Sequence, residues 1–302
     1  MSGEPVVSGD EQLTADTRPM IIVGVDGSED GLRATRYGAR VAGKRARLHL
    51  VHAVDDAVLA GAWGVVYDPT ILQQAGEKAT EAAVQAALDT GIDPNQVTSE
   101  VVLGNAAAVL ARQSESAALM VLGRRSVSGL ERMFVGSTSV AAVASAHCPT
   151  VIISQAVNPD PTGQYGRVVV GLDAGPHAGR TLEWAMAEAE ARGAKLEVVH
   201  VSEPKSTGLF GRGSVTDEAR AAQMQAAREG MSALVEEARA KMPDVEVSVE
   251  VLYGNPVDAL AGRTGHADLL VLGIQSPSPA RAVGGTIRGL MAHSQSPICL
   301  IP

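Results

Sequence analysis

Short segments made only of apolar residues alternate with longer, alanine-rich segments along the chain. Val, Ile and Leu fill the short segments without the polar alternation of a half-exposed strand, which indicates strands buried on both faces, as in a parallel sheet. The alanine-rich segments have the spacing of helices. This alternation predicts an α/β, Rossmann-like doubly wound fold with helices on both faces of the sheet. Its ligand site is expected at the carboxyl ends of the strands.

Local residue choices mark where several helices begin. Ser28, followed by Glu29 and Asp30, is an N-cap residue with acidic residues in the first helical turn. Gly175-Pro176 predicts the start of the matching helix later in the chain, because proline is favoured at the first helical position. Residues 80–88, 140–146 and 219–240 are further predicted helices.

The sequence contains one unit twice. Residues 20–26, which end in Asp26, recur as residues 167–173, which end in Asp173. Four more pairs of matching segments follow in the same order: 51–52 and 199–200, 103–105 and 253–255, 121–123 and 271–273, and 149–153 and 297–301. A proline- and glycine-rich segment separates the copies. The predicted organisation is a flexible tail (1–19), a first domain (20–155), a linker (156–166) and a second domain (167–302), each domain a five-stranded parallel sheet.

The net charge and the aromatic content limit the classes of binding partner that are expected. The 302-residue chain carries a net charge of -9 and has only 3% aromatic residues. Such a chain repels phosphate backbones and lacks the rings on which bases stack, so no nucleic-acid partner is expected. The N-terminus is acidic and no stretch reaches the roughly 18 to 20 apolar residues of a membrane span. A cytoplasmic protein without a membrane partner is therefore expected.

The two cysteines, Cys148 and Cys299, each lack a second cysteine nearby in the sequence. This spacing builds neither a local disulfide framework nor a zinc site, so no metal ligands are assigned. Ordinary buried thiols are favoured over a redox pair.

A loop rich in glycine, hydroxyl and arginine residues follows the fourth predicted strand of the first copy, over residues 123–139. The sequence contains none of the standard P-loop, dinucleotide, hydrolase or zinc-protease motifs. The loop instead ends at a predicted helix N-terminus, where unpaired N–H groups and Gly136 favour an approaching oxyanion. Its hydroxyl and basic residues are Ser126, Ser128, Ser137, Thr138, Ser139, Arg124, Arg125 and Arg132. A phosphate site and a plain helix cap with solvated arginines both fit this composition.

The spacing Gly123, Ser126, Gly136, Ser137 is similar to the ATP-binding pattern G-x2-G-x9-G-[ST] of the universal stress protein family. Asp26 at the end of V-G-V-D, His52, Gly104-Asn105 and His147-Cys-Pro149 match that family too, so the chain resembles a tandem member. The resemblance implies strand order 3-2-1-4-5 and bound ATP, with or without Mg²⁺. It assigns Asp26 to the nucleoside and Ala53 and Val54 to the adenine. The resemblance assigns the ribose and the phosphates to Gly123, Ser126, Gly136, Ser137, Thr138 and Ser139.

The chain departs from the family pattern at Ser126, where the family has glycine; a positive φ there costs serine about 1 kcal/mol. The second copy departs further, since Pro277 and Pro279 remove N–H donors from its loop. In the alignment that pairs Gly136 with Gly285, Ile287 replaces Thr138 and Arg288 replaces Ser139. The nucleotide-binding residues expected in this copy are Asp173, Gly273, Ser276, Gly285 and Thr286.

His52 and His200 end the second predicted strand of each copy, where a hydrogen-bonded structural imidazole is favoured over a general base. No set of acid, base and nucleophile accompanies them, so no catalytic residues are assigned and ATP hydrolysis is expected to be slow at most.

Two functions remain open: an adenine-nucleotide-binding stress or regulatory protein with an unidentified protein partner, or a nucleotide-free dimerisation scaffold of the same fold. Residues 149–154 and 297–301 are expected to pair within the chain as a pseudo-dimer, alone or in a homodimer of such chains.

Overall fold

The structure is a computed structural model that describes residues 16–54, 69–124, 136–154, 156–157, 163–203, 216–274 and 283–302. The first half contains β1 (Met20–Gly24), α1 (Glu29–Ala42), β2 (Arg47–Val54), α2 (Pro69–Leu88), β3 (Val97–Leu103), α3 (Ala106–Ser114), β4 (Leu119–Gly123), α4 (Ser137–Ala144) and β5 (Thr150–Ile153). The second half contains β6 (Arg167–Gly171), α5 (Ala178–Arg192), β7 (Lys195–Ser202), α6 (Asp217–Arg239), β8 (Val247–Tyr253), α7 (Pro256–Thr264), β9 (Leu269–Gly273), α8 (Gly285–His293) and β10 (Ile298–Ile301).

The strands form one ten-stranded sheet in the order β3-β2-β1-β4-β5-β10-β9-β6-β7-β8. Within each half the strands are parallel and follow the predicted order, with the first strand beside the second and the fourth. The halves join where β5 and β10 pair antiparallel, with Cys299 opposite Val151. The predicted pairing of the two last strands is therefore present inside a single chain.

Helices cover both faces of this sheet and form two apolar layers that run across the β5–β10 junction. Successive strand residues alternate between the layers: Val23 lies in one and Ile22 in the other. Helices α1, α2, α5 and α6 bury residues in the first layer, and α3, α4, α7 and α8 in the second. The predicted doubly wound α/β fold is confirmed.

Helix α1 begins as predicted, because the Ser28 hydroxyl accepts a hydrogen bond from the Gly31 N–H at 3.1 Å. Two other predicted starts were wrong. Helix α5 begins at Ala178 and not at Pro176, since the Ala178 N–H bonds to the Gly175 carbonyl in a preceding turn. Helix α2 begins at Pro69, well before residue 80.

Both cysteines are buried and free, as expected. Burial raises the pKa of Cys148 to about 11 and that of Cys299 well above its ordinary value, so both remain thiols at neutral pH. In the described part of the chain no helix combines the length and apolarity that crossing a bilayer requires.

Candidate functional site

A cavity of about 380 Å³ lies at the carboxyl ends of β6, β7 and β9 in the second half, beside the first turn of α8. The structure brings four of the predicted second-half residues together in its wall: Asp173, Gly273, Gly285 and Thr286. Ser276 lies outside the described residues. The volume falls in the range of small-molecule sites, about 300 to 1,000 Å³.

The first turn of α8 forms one end of this cavity. Gly284 caps the helix with φ -70° and makes no side-chain capping bond. A Cβ added at Gly284 or Gly285 would meet no atom within 4 Å, and neither glycine has a left-handed φ, so packing and strain do not require glycine here. What the two glycines do is leave the backbone N–H groups of a helix N-terminus open to an anion.

Helix caps correct the alignment of the two phosphate-loop candidates. Gly136 is the N-cap of α4, where Val140 N–H bonds to its carbonyl, and Gly284 is the N-cap of α8, where Arg288 N–H does the same. Gly136 therefore matches Gly284 and not Gly285. In consequence Thr286 matches Thr138, and Gly285 matches Ser137, so the second half keeps the Thr138 hydroxyl and lacks those of Ser137 and Ser139.

Asp173, which follows β6, also lines the cavity. Its Oδ1 accepts a hydrogen bond from the Gly175 N–H at 3.0 Å, which fixes the orientation of the carboxylate. A side chain at position 175 would crowd this group, because its Cβ would lie 3.0 Å from Asp173 Oδ1. An oriented carboxylate accepts hydrogen bonds from hydroxyl groups such as those of a sugar.

Apolar side chains also line the cavity. They include Val199, Val201, Leu260, Leu272 and Ile287. Val201 follows His200 as Ala53 follows His52, so it occupies the position that the resemblance assigns to the adenine wall. Sequence analysis missed Val201, although the histidine repeat would have located it. The cavity also includes His177 and Glu203, which no sequence pattern had indicated.

The first half presents the same elements, with several polar groups engaged locally. Asp26 Oδ1 accepts bonds from the Ser28 N–H at 3.0 Å and the Ser28 hydroxyl at 2.5 Å. Ala53 and Val54 are half-buried at the end of β2. Ser137 and Thr138 are exposed in the first turn of α4.

Two first-half residues that were predicted to bind phosphate, Gly123 and Ser139, make contacts within the fold that explain why glycine and serine occur there. A Cβ on Gly123 would lie 2.6 Å from the carbonyl carbon of Asp30, because β4 packs directly on the first turn of α1. The buried Ser139 hydroxyl donates to the Gly123 carbonyl at 3.0 Å. The predicted binding roles of both residues stay predictions, as does that of Ser126, which lies outside the described residues.

The loop arginines were predicted to bind phosphate or to be solvated, and Arg124 does neither in the structure. It is buried, and its Nη1 donates to the carbonyl of Ala292 at 2.8 Å and to that of Met291 at 3.2 Å. Its charge thus neutralises the C-terminus of α8 in the other half of the chain. Arg125 and Arg132 lie outside the described residues.

Asp30 is a buried acid that sequence analysis treated only as a helix-start residue. It is 1% exposed, and neither carboxylate oxygen has a hydrogen-bond partner among the described residues. Burial raises its pKa to about 6, although the positive charges of Arg124 and Arg33 oppose that rise.

Both histidines are hydrogen-bonded to the backbone, as predicted. His52 Nδ1 donates to the Val25 carbonyl at 2.8 Å, and His200 Nδ1 donates to the Leu172 carbonyl at 2.9 Å. Each ring joins the second strand of its half to the residue after the first strand. In the described ranges, no group of three His, Cys, Asp or Glu side chains is placed to hold a metal ion.

Comparisons with known proteins agree with this architecture. The model of the universal stress protein family matches residues 19–154 and again residues 164–302. A universal stress protein of Mycobacterium tuberculosis is 30% identical over 266 residues, which cover 84% of this chain and 86% of the relative. A second one from the same organism is 28% identical over 304 residues, covering 92% and 93%. The crystal structure of a universal stress protein from Archaeoglobus fulgidus has a similar fold, with a TM-score of 0.65 at 20% identity over 94% of this chain and 96% of that one.

Proposed function

The chain belongs to the universal stress protein family, and on that premise we propose that it is a regulatory protein that binds an adenine nucleotide at the strand ends of its halves. The observation that carries the proposal is the second-half cavity, which gathers Asp173, Gly273, Gly285 and Thr286 around one space. These residues come from three separate segments of the chain, and the family resemblance assigns all of them to the nucleotide site.

The groups that line the cavity suit the three parts of a nucleotide. The apolar wall around Val201 and Leu260 accommodates the adenine, and Asp173 accepts hydrogen bonds from the ribose hydroxyls. The N–H groups that begin α8 and the Thr286 hydroxyl hold the phosphates. In the first half, Ala53, Val54, Asp26, Ser137 and Thr138 take the corresponding roles. Mg²⁺ supplies charge neutralisation when a triphosphate brings it.

Calorimetric titration of the full chain with ATP, AMP and cyclic AMP, each with and without Mg²⁺, tests this function. A ligand at 100 times its Kd should stabilise the protein by about 2.7 kcal/mol, visible as a thermal shift. Mass spectrometry of the small molecules released on denaturation identifies a co-purified ligand. Absence of heat, thermal shift and released nucleotide at millimolar ligand contradicts the proposal.

Gly285→Asp is the informative variant for the second half. Aspartate at a helix start stabilises the helix, and the space around Gly285 is open, so the fold should be retained while the carboxylate repels phosphate. We expect at least a tenfold loss of affinity at this site. Gly285→Asn is the matched control, because it adds the same volume without charge and should lose less.

A nucleotide-free scaffold is the second candidate, and the packing of the first half favours it there. Gly123 and Ser139 have structural contacts that explain glycine and serine without a ligand. Binding that Gly285→Asp abolishes completely would assign the scaffold role to the first half and the nucleotide to the second.

A further inference from the structure

The two halves of the chain are joined asymmetrically at the carboxyl end of β4. Arg124 follows this strand in the first half, yet it donates two hydrogen bonds to the last turn of α8 in the second half. Those carbonyls have no partners within a helix, and a cation beside them is stabilised by the helix dipole. The contact exists because β5 and β10 run antiparallel, which places the C-terminus of α8 beside the end of β4.

The equivalent position in the second half cannot make this contact. Arg124 N–H bonds to the Ile153 carbonyl at 2.7 Å, and Ile274 N–H bonds to the Ile301 carbonyl at the same distance, so the two backbones match. Ile274 is apolar and buried, and donates nothing from its side chain to α4. The duplicated fold therefore has a side-chain hydrogen bond from the first half to the second at this position, and the equivalent residue of the second half makes none to the first.

Each end of the link lies at a candidate ligand site. Gly123, next to Arg124, packs on the first turn of α1 and accepts the hydrogen bond from Ser139 in the first turn of α4. Helix α8 has nine residues and is therefore about 13 Å long. Its C-terminus receives Arg124, and its N-terminal Gly285 and Thr286 line the second-half cavity.

Arg124 also has a second acceptor within its electrostatic reach. Asp30 is buried beside it with both carboxylate oxygens unpaired among the described residues, and the Arg124 Nε is buried and unpaired in the same set. Arg124 uses Nη1 for the α8 carbonyls, and a shift of the guanidinium toward Asp30, which it could bind through two parallel bonds, would compete with that contact. Such a shift would give one buried group two arrangements, which is what a coupling element requires.

We propose that Arg124 positions α8, and thereby the phosphate end of the second-half site, according to the arrangement of the first half around Gly123 and Asp30. The dependence of ligand affinity on this contact rests on the proposed nucleotide function. The positioning of α8 itself does not, and is tested without ligand.

Hydrogen exchange of the nucleotide-free chain tests the positioning. Arg124→Met keeps the length of the side chain but removes its charge and donors, and should speed exchange in residues 288–294 at least tenfold. Ile274→Met at the equivalent position is the matched control and should leave that segment unchanged. Asp30→Asn removes the negative charge that makes Asp30 a competing partner and should leave exchange unchanged or slower, which keeps the test decisive if Arg124→Met folds poorly. Equal exchange in the wild type and Arg124→Met, or faster exchange in Asp30→Asn, overturns the proposal.

Calorimetry then distinguishes the effect of Arg124 on affinity from nucleotide binding itself. In a Gly136→Asp background, which places a carboxylate at the first-half phosphate end, Arg124→Met should weaken AMP binding at least threefold, and Arg124→Lys should restore part of it. Unchanged affinity overturns the coupling while the nucleotide function stands. Absence of binding in the unmodified chain overturns the nucleotide function, and the exchange experiment still decides whether Arg124 positions α8.

Discussion

The Tyr37 hydroxyl in α1 accepts a hydrogen bond from Arg192 Nη2 in α5 at 3.1 Å, so a polar contact crosses between the halves inside an apolar layer. Tyr37 is 1% exposed, and burial raises its pKa to about 12, so the hydroxyl stays neutral. Arg192 is also paired with Glu188 at 2.6 Å. The contact links α1 of the first half to α5 of the second half.

Tyr37→Phe should lower the free energy of unfolding by about 1 to 2 kcal/mol, because it leaves a largely buried guanidinium with one partner fewer. Urea denaturation measures the change. Tyr165→Phe is the control, since Tyr165 is 46% exposed and should change stability by less than about 0.5 kcal/mol. Equal effects of the two substitutions would mean that the contact between the halves contributes nothing specific.

Asp30 should make the protein less stable as pH rises from its ordinary pKa of 3.8 to about 6. Over that interval the unfolded chain releases the proton while the folded chain retains it, so the free energy of unfolding falls, by about 2 kcal/mol, and then levels off. The charges of Arg124 and Arg33 lower the folded pKa, and those of Asp26 and Glu29 raise it.

Urea denaturation of wild type and Asp30→Asn between pH 4 and pH 8 isolates this contribution, because the difference between them cancels the other titrating groups. Asp30→Asn should be the more stable protein at pH 7, and its advantage should vanish near pH 4. An advantage that stays constant across this range would show that Asp30 does not titrate there.

The repeat and the apolar strands predicted the α/β class and the two domains, whereas the strand order came from the family resemblance. Val23 and Val169 lie in short apolar runs typical of a strand covered on both faces, and Asp26 and Asp173 mark the same strand end in both copies. The helix starts were less predictable where capping was weak. Gly175-Pro176 resembles a start, but no side chain caps α5, so the turn continued to His177.

The contacts between the halves could not be predicted from the sequence. Arg124 stands beside glycine and hydroxyl residues, which favoured a phosphate role, while its partners lie 167 and 168 residues away. Only the antiparallel β5–β10 pairing brings them together. The cavity is different: Val201 in its wall follows from aligning His52 with His200, a relation the sequence already contained.

Gly123→Ala and Gly273→Ala should differ in stability although both positions end a fourth strand. The new Cβ at 123 would lie 2.6 Å from the Asp30 backbone, which cannot move away without shifting α1. At 273 it would meet the Thr181 hydroxyl oxygen, a side-chain atom that can shift at the cost of its hydrogen bond to the His177 carbonyl. We expect losses of about 3 kcal/mol and about 1 kcal/mol, respectively, by thermal or urea unfolding. Equal losses would contradict the packing explanation for Gly123.

Ser139→Ala and Ser137→Ala separate structure from binding in the first half. The Ser139 hydroxyl donates to the Gly123 carbonyl in a buried site, so its removal should lower the free energy of unfolding by about 1 kcal/mol. Ser137 is exposed in the first turn of α4, so its removal should leave stability unchanged.

Nucleotide affinity, measured in a Gly285→Asp background so that the first half reports alone, should show the opposite pattern. Ser137→Ala removes a hydroxyl from the exposed helix N-terminus and should weaken binding several-fold, because that donor faces the phosphate position. Ser139→Ala leaves every group on the exposed side of the turn in place, so its affinity should match that of the background. If Ser139→Ala loses more affinity than Ser137→Ala, the hydroxyl of Ser139 must leave Gly123 to bind the ligand, and the first half rearranges on binding.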